Sequence, residues 1–180
     1  MANFYFVKKN LFDMPQGYCF AHCISEDFKL GAGIAVEFNN RYNMRERLET
    51  KCDDRGLVTY VGKAVKIDNV YNLITKKRCF EKPTYQDLQN ALNDMALQIE
   101  NGKVKRLAMP KIGAGLDRLK WTIVLSIIKE AFADNDDLEI TICFLDNDPD
   151  YPDNDDIEAL GDYFKEEFYV NLYIAFFQII

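Results

Sequence analysis

The stretch RLAMPKIGAGLDRLKWTIVLSIIKEAF, residues 106–132, decides how this chain folds. It begins with a short apolar run, Arg106–Met109, that predicts a β-strand. The glycine turn Gly113-Ala114-Gly115 follows. Beyond it, apolar residues recur at the spacing of one helix face: Trp121, Val124, Leu125, Ile128 and Phe132. The stretch therefore predicts a strand, a glycine turn and a helix in direct succession.

The same order of strand, glycine turn and helix occurs nearer the N-terminus. Tyr18–Ser25 predicts the strand, Gly31-Ala32-Gly33 is the turn, and Ile34–Tyr42 predicts the helix. Further strands are predicted at Asn3–Val7, Leu57–Val65, Val70–Thr75 and Glu139–Leu145, and further helices near Arg45–Lys51 and after Pro83. Strands that alternate with helices in this way predict an α/β fold with a largely parallel or mixed sheet.

Composition is typical of a globular protein with one domain and an appendage. The 180 residues are 48% hydrophobic, 13% aromatic and 28% charged, which excludes intrinsic disorder for most of the chain. No apolar run is long enough for a membrane span, and the N-terminus lacks the apolar core of a signal peptide. We therefore expect a cytoplasmic protein with no membrane partner.

The net charge of −7 is concentrated near the C-terminus. Residues 1–145 carry 21 basic and 19 acidic side chains, a net of +2, whereas residues 146–180 carry one lysine and 10 acidic side chains, a net of −9. We therefore predict a domain at 1–145 and an extension at 146–180. The extension begins with the acidic loop DNDPDYPDNDD, and its later apolar residues must be covered, either by packing on the body or in a homodimer.

The cysteines and the histidine argue against several kinds of site. Five cysteines are an odd number and no two have the spacing C-x-x-C, so neither a disulfide framework nor a zinc ribbon is expected. A single histidine, His22, argues against a histidine-built metal centre, and no cofactor is predicted. His22 and Cys23 would point to opposite faces of a strand, so packing roles are favoured over a Cys–His catalytic pair.

Three features could carry chemistry, and each also has a simpler structural explanation. The two glycine turns could cradle a pyrophosphate on backbone N–H groups, or they could need glycine for steric reasons alone. Lys76 could be a nucleophile or an anion clamp, or part of a solvated basic cluster at a strand end. Asp117 could be an acid–base group, or a cap for the following helix.

Five sequence blocks, taken together and in order, resemble the macro domain family. They are AHCISED at 21–27, GAGIA at 31–35, LITKKR at 73–78, PTY at 83–85 and MPKIGAGLD at 109–117. The resemblance covers about residues 4–145 and is closest to the terminal ADP-ribose protein glycohydrolase branch, a relative of the antitoxins that strip ADP-ribose from DNA. It implies a three-layer α/β/α fold with a mixed, mostly parallel central sheet and ADP-ribose in a cleft at the strand ends.

The resemblance also implies roles for individual residues. The branch's catalytic lysine and aspartate correspond to Lys76 and Asp117: the lysine would attack the anomeric carbon of an ester-linked ADP-ribose, and the aspartate would act as acid and base. Asn10 departs from the family, which usually has an aspartate there, so weaker binding or an altered base preference is expected. The resemblance places the adenine pocket at Leu11 and Leu145. The full set of implied ligand contacts is Asn10, Leu11, Ser25, Gly33, Ile34, Lys111, Ile112, Gly113, Ala114, Gly115, Leu116 and Leu145.

The function that the resemblance implies is an ADP-ribosyl hydrolase. Its partner would be ADP-ribose, or a protein that carries mono- or terminal ADP-ribose, with nucleic acid only as a modified substrate. One alternative is an ADP-ribose 1″-phosphate phosphatase, which would form no lysine adduct. The other is a non-catalytic ADP-ribose reader, a class that typically lacks the lysine–aspartate pair.

Overall fold

The computed structural model describes residues 2–53, 59–146 and 148. Strands and helices alternate in this part of the chain, as the sequence predicts. The strands are β1 (Asn3–Lys8), β2 (Cys19–Ser25), β3 (Lys63–Ile67), β4 (Val70–Lys76), β5 (Arg106–Pro110) and β6 (Glu139–Phe144). The helices are α1 (Ile34–Tyr42), α2 (Met44–Asp53), α3 (Tyr85–Asn101) and α4 (Trp121–Ala131), with a short 3₁₀ helix at Leu11–Asp13.

The strands named above form one sheet in the order β1-β6-β5-β2-β4-β3. Neighbouring strands are parallel, except that β3 and β4 form an antiparallel hairpin. The residues of β4, β5 and β6 are almost continuously buried, which is typical of parallel strands covered on both faces. The predicted mixed, mostly parallel sheet is confirmed.

Helices cover both faces of this sheet. α1 and α2 pack on each other and on β2 and β3, where Phe38, Met44 and Leu48 are fully buried. α3 and α4 pack on each other against the opposite face. The side chain of Thr84 accepts a hydrogen bond from the Asp87 amide at 3.0 Å, so a side-chain cap starts α3, the helix predicted after Pro83. The three-layer α/β/α architecture is confirmed.

A buried polar contact joins β2 to β4 within the core. The ring of His22 stacks on Phe38 with 4.0 Å between ring centroids, and its Nε2 lies 2.8 Å from Asn72 Oδ1. The Asn72 amide group donates to the Val65 carbonyl at 3.0 Å, so Oδ1 faces the histidine and accepts its Nε2 proton. Burial lowers the pKa of His22 to about 4, although the contact with Asn72 opposes this shift. The packing role predicted for His22 is confirmed.

The strand predicted at Leu57–Val65 is wrong in its position, because β3 begins only at Lys63. Residues 54–58 lie outside the described part of the chain, and the next residues make a turn closed by a hydrogen bond from the Lys63 amide to the Tyr60 carbonyl at 2.9 Å. Tyr60 is buried: its amide donates to Glu26 at 2.5 Å and its hydroxyl to the Cys52 carbonyl. Apolar residues that resemble a strand in sequence therefore belong to a turn.

The compact unit that contains this sheet ends at Asn147. The predicted extension at 146–180 and its homodimer contact lie outside the described residues, apart from Asp146 and Asp148. None of the helices in the described ranges is both long enough and apolar enough to cross a membrane.

Candidate active site

The carboxyl ends of β2, β4 and β5 surround a cleft of about 480 Å³. β2 pairs with β5 only at Cys19 and Phe20, so the two strands separate toward their carboxyl ends. β2 then leads to α1 on one face of the sheet, whereas β5 leads to α4 on the other. Such a divergence opens a crevice at the strand ends, where ligands bind in open α/β sheets.

Lys76 reaches this cleft because the ladder between β2 and β4 contains an extra residue. Ile24 pairs with Ile74, but Ser25 pairs with Lys76, so Thr75 is passed over in the register. A bulge of this kind re-aims the neighbouring side chain. The Lys76 side chain lines the cleft and is only 14% exposed, so the explanation as a solvated basic cluster is wrong for this residue.

Asp117 meets Lys76 from the opposite side of the cleft. Lys76 Nζ donates to Asp117 Oδ1 at 2.5 Å, and the aspartate side chain is only 13% exposed. Hydrogen bonds between an ammonium and a carboxylate are among the strong ones in proteins because both partners are charged. The capping explanation for Asp117 is wrong, since Lys120 is the N-cap residue of α4 and no side chain caps that helix.

The two glycine turns face each other across the cleft. Gly33, the N-cap of α1, has a φ of 59°, and a β-carbon built there would lie 3.4 Å from Leu116 Cδ1. A β-carbon built at Gly115 would meet no atom within 4 Å, so packing does not require glycine at that position. An open glycine backbone beside the uncapped start of a helix is suited to an anionic ligand.

Most of the predicted ligand residues come together here. Ser25, Gly33, Ile34, Lys111, Ile112, Gly113, Gly115 and Leu116 line the cleft together with Lys76 and Asp117. Ala114 lies in the same turn but does not line the cleft. The Ser25 hydroxyl donates to Asp27 at 2.5 Å, so the structure commits that hydroxyl to a neighbouring carboxylate.

The three residues predicted around the adenine do not line the described cleft. Asn10 caps the 3₁₀ helix, where its side-chain carbonyl accepts from the Phe12 amide at 3.0 Å. Leu11 is buried in the core, and Leu145 is 74% exposed. Their contacts with a base stay predictions.

Two of the cleft residues, Cys23 and Lys82, were assigned no functional role from the sequence. Cys23 was expected to be a packing residue, yet it lines the cleft close to the lysine–aspartate pair. Burial, followed by the charge of Asp117, raises the pKa of its thiol to about 12, so the thiol is protonated at neutral pH. Lys82 donates to the Leu116 carbonyl at 2.7 Å, a contact between loops 34 residues apart that no local pattern could predict.

Metal ligands are not grouped in the part of the chain that the structure describes. There, no three or more His, Cys, Asp or Glu side chains are arranged to hold an ion.

Comparison with known proteins agrees with this architecture. The macrodomain of Mycobacterium tuberculosis DarG superposes with a TM-score of 0.71 at 23% identity, covering 81% of this chain and 99% of that one. No protein-family model matches the chain. The ADP-ribose glycohydrolase OARD1 of Homo sapiens is 41% identical over 140 residues, which are 78% of this chain and 90% of that protein. The chain belongs to the macro domain family. This macro domain is also 24% identical over 145 residues to the DNA ADP-ribosyl glycohydrolase of Thermus aquaticus, covering 76% of this chain and 40% of that protein.

Proposed function

We propose that this macro domain is an ADP-ribosyl hydrolase that releases mono- or terminal ADP-ribose from modified macromolecules through a covalent adduct on Lys76. The observation that carries the proposal is the 2.5 Å contact between Lys76 Nζ and Asp117 Oδ1 inside the cleft. A largely buried ion pair contributes little net stability, because both charges lose hydration. Sites that depart from the most stable arrangement are typically functional.

Binding is assigned mainly to the backbone around the two glycine turns. Ile34 and Ala35 line the cleft at the start of α1, where no side chain caps the helix. The first N–H groups of a helix attract anionic oxygens, and the pyrophosphate of ADP-ribose supplies them. The open space at Gly115 lets that group approach the second turn. Fixing the pyrophosphate holds the distal ribose near Lys76, and this proximity contributes much of the rate.

The first chemical step joins Lys76 to the sugar. Lys76 passes a proton to Asp117, and its Nζ attacks the anomeric carbon of the distal ribose. The new C–N bond forms while the bond from that carbon to the ester oxygen breaks, and the electron pair leaves with the acceptor carboxylate, which also takes the proton of the new ammonium. Asp117 then protonates the ring oxygen as the ribose opens, and the adduct becomes a protonated imine.

Water completes the cycle. It adds to the imine carbon while Asp117 takes one of its protons, which forms a carbinolamine. This intermediate collapses when the C–N bond breaks, and both protons of the water end on Nζ, which restores the lysine ammonium and the Asp117 carboxylate. The released aldehyde closes to ADP-ribose.

The acceptor in this proposal is protein first and nucleic acid second. The name of the Thermus aquaticus relative states an activity on DNA, and the net charge of +2 over residues 1–145 lets the domain approach a polyanion.

A homodimer formed through the extension is a separate part of the proposal. Light scattering on the full chain and on a truncation after Asn147 tests it, because only the full chain should dimerise.

The decisive experiment measures turnover by the wild-type protein and by Lys76→Ala. The substrates are aspartate- or glutamate-ADP-ribosylated protein and ADP-ribose 1″-phosphate. Lys77→Ala is the matched control, since Lys77 is the next residue and is exposed. We expect Lys76→Ala to lose release from protein while it still binds ADP-ribose, and Lys77→Ala to retain both. Borohydride should trap an adduct on Lys76 in the wild type.

Each contrary result identifies an alternative. Phosphate release that does not depend on Lys76 would make the protein a phosphatase. Binding of ADP-ribose without turnover of either substrate would make it a reader. Release from protein by Lys76→Ala at the wild-type rate would refute the lysine mechanism.

A further inference from the structure

The turn that follows β2 is hydrogen-bonded to the segment that begins at Lys76, the last residue of β4. The amide of Glu26 donates to the Lys76 carbonyl at 2.9 Å. One residue later, the Asp27 carboxylate accepts from the Cys79 amide at 3.0 Å through Oδ2. The segment from Lys76 to Cys79 is therefore fixed at both ends by two consecutive residues of one turn.

Asp27 is itself held in place. Its other oxygen, Oδ1, accepts the Ser25 hydroxyl at 2.5 Å, and Ser25 is buried beside Lys76 in the strand register. The Phe28 amide closes the turn on the Ser25 carbonyl at 3.1 Å. Burial acts to raise the pKa of Asp27, but hydrogen bonds from the Ser25 hydroxyl and from the Cys79 and Lys29 amides outweigh it, so the pKa lies below the usual range.

A second contact fixes the far end of the same loop. Lys82 donates to the Leu116 carbonyl at 2.7 Å, and Leu116 directly precedes Asp117. The loop 77–82 is thus attached to the turn after β2 through Asp27 and to the turn that carries Asp117 through Lys82. Cys79, Phe80 and Lys82 of this loop line the cleft, so these contacts also set the shape of one cleft wall.

We infer that Asp27 is a positioning residue that holds Lys76 in register with Asp117, an inference that rests on the proposed function. Asp27 touches neither reacting group; it acts through the Cys79 amide and the Ser25 hydroxyl. Catalytic groups require support of this kind, because a displacement of about 1 Å is enough to lower a rate about 10²-fold. The pyrophosphate contacts lie elsewhere, on the glycine turns, so loss of Asp27 should affect the rate and leave ligand affinity unchanged.

The test compares Asp27→Ala and Asp27→Asn with the matched control Glu26→Gln. Glu26 is the adjacent carboxylate and also accepts a backbone amide, but that amide belongs to Tyr60, outside the cleft lining. Three quantities are measured for each variant: kcat on ADP-ribosylated protein, Kd for ADP-ribose, and hydrogen exchange of the Cys79 amide. Melting temperatures establish that each variant is folded, and Asp27→Asn, which keeps an acceptor oxygen, serves if Asp27→Ala does not fold.

We expect Asp27→Ala to lower kcat by about 10²-fold and to expose the Cys79 amide to exchange, while Kd stays within about threefold. Asp27→Asn should fall between Asp27→Ala and the wild type, and Glu26→Gln should keep the wild-type kcat. An unchanged kcat in Asp27→Ala would overturn the inference, as would a parallel loss of affinity or an equal loss of rate in Glu26→Gln.

If the wild-type protein has no turnover, the proposed function fails first. Faster exchange at Cys79 in Asp27→Ala alone would then still support the attachment, and unchanged exchange would overturn it.

Discussion

Two glycines in the facing turns allow a direct test of how the cleft is built. Gly33 has φ 59° and ψ −150°, a region of backbone space that is essentially restricted to glycine, and a β-carbon there would lie in van der Waals contact with Leu116, 3.4 Å from its Cδ1. Gly115 has open space where a β-carbon would lie. Glycine at position 33 is therefore required by the fold, whereas packing leaves position 115 open, and we predict that glycine is needed there by the ligand.

The two alanine substitutions should consequently have different effects. Gly33→Ala is expected to lower the free energy of unfolding by about 1–3 kcal/mol, and each kcal/mol lowers the melting temperature by about 2–4 °C for a chain of this length. Gly115→Ala should leave that free energy within about 0.5 kcal/mol of the wild type. Its methyl group, however, occupies space that the pyrophosphate needs, so ADP-ribose should bind at least about tenfold more weakly, a loss of about 1.4 kcal/mol.

Thermal unfolding of the ligand-free proteins and calorimetric titration with ADP-ribose measure these quantities. Wild-type affinity in Gly115→Ala would refute the assignment of the pyrophosphate to this turn. A wild-type melting temperature in Gly33→Ala would refute the argument from backbone strain. Equal losses of stability in both variants would show that the open space at Gly115 does not exist in solution.

Two further predictions concern titratable groups whose pKa values are shifted, His22 and Cys23. The buried, neutral His22 has a pKa of about 4, whereas in the unfolded chain it takes up a proton near pH 6.5. The free energy of unfolding therefore includes the full contribution of neutral His22 above pH 6.5. It should fall by up to about 3 kcal/mol as the pH falls from 6.5 toward 4. Urea unfolding from neutral pH down to pH 4 should show a shallower decline in His22→Gln, and an identical decline would contradict this assignment. At mildly alkaline pH, iodoacetamide should modify the exposed Cys79 before the half-buried Cys23, whose thiol has a pKa of about 12. Peptide mass spectrometry that finds Cys23 modified first would contradict this raised pKa.

Local patterns in the sequence were sufficient for most of the fold. The apolar periodicity of α4 and the two glycine turns predict the alternation of strands and helices that the structure shows. The strand predicted at Leu57–Val65 was misplaced because Tyr60 is buried through its contact with Glu26, which is 34 residues away. Aromatic and apolar residues indicate burial, and burial alone does not distinguish a strand from a packed turn.

The site was predictable only as far as its motifs extend. Lys76 and Asp117 were assigned together through the family resemblance, and the 2.5 Å contact between their side chains agrees with a shared role. No role was assigned to Lys82, or to Asp27, although Asp27 ends the block at 21–27 that carries the resemblance. Asp27 accepts from the backbone amide of Cys79, 52 residues away, and Lys82 donates to the backbone carbonyl of Leu116, 34 residues away. Because both partners use backbone atoms, their residue types do not indicate these contacts.

The bulge at Thr75 makes this protein more sensitive to a change in chain length than to a change in residue type. Thr75 is one extra residue in β4 at the step from Ile24 to Ser25 of β2, and a bulge re-aims the side chains beside it. Deleting Thr75 would leave a regular ladder in which Lys76 still pairs with Ser25 but lacks the bulge that aims its side chain at the aspartate, with the pairs before it undisturbed. A single codon deletion at this position should therefore yield a folded domain without activity, a phenotype that point substitutions of the neighbouring core residues would not reproduce.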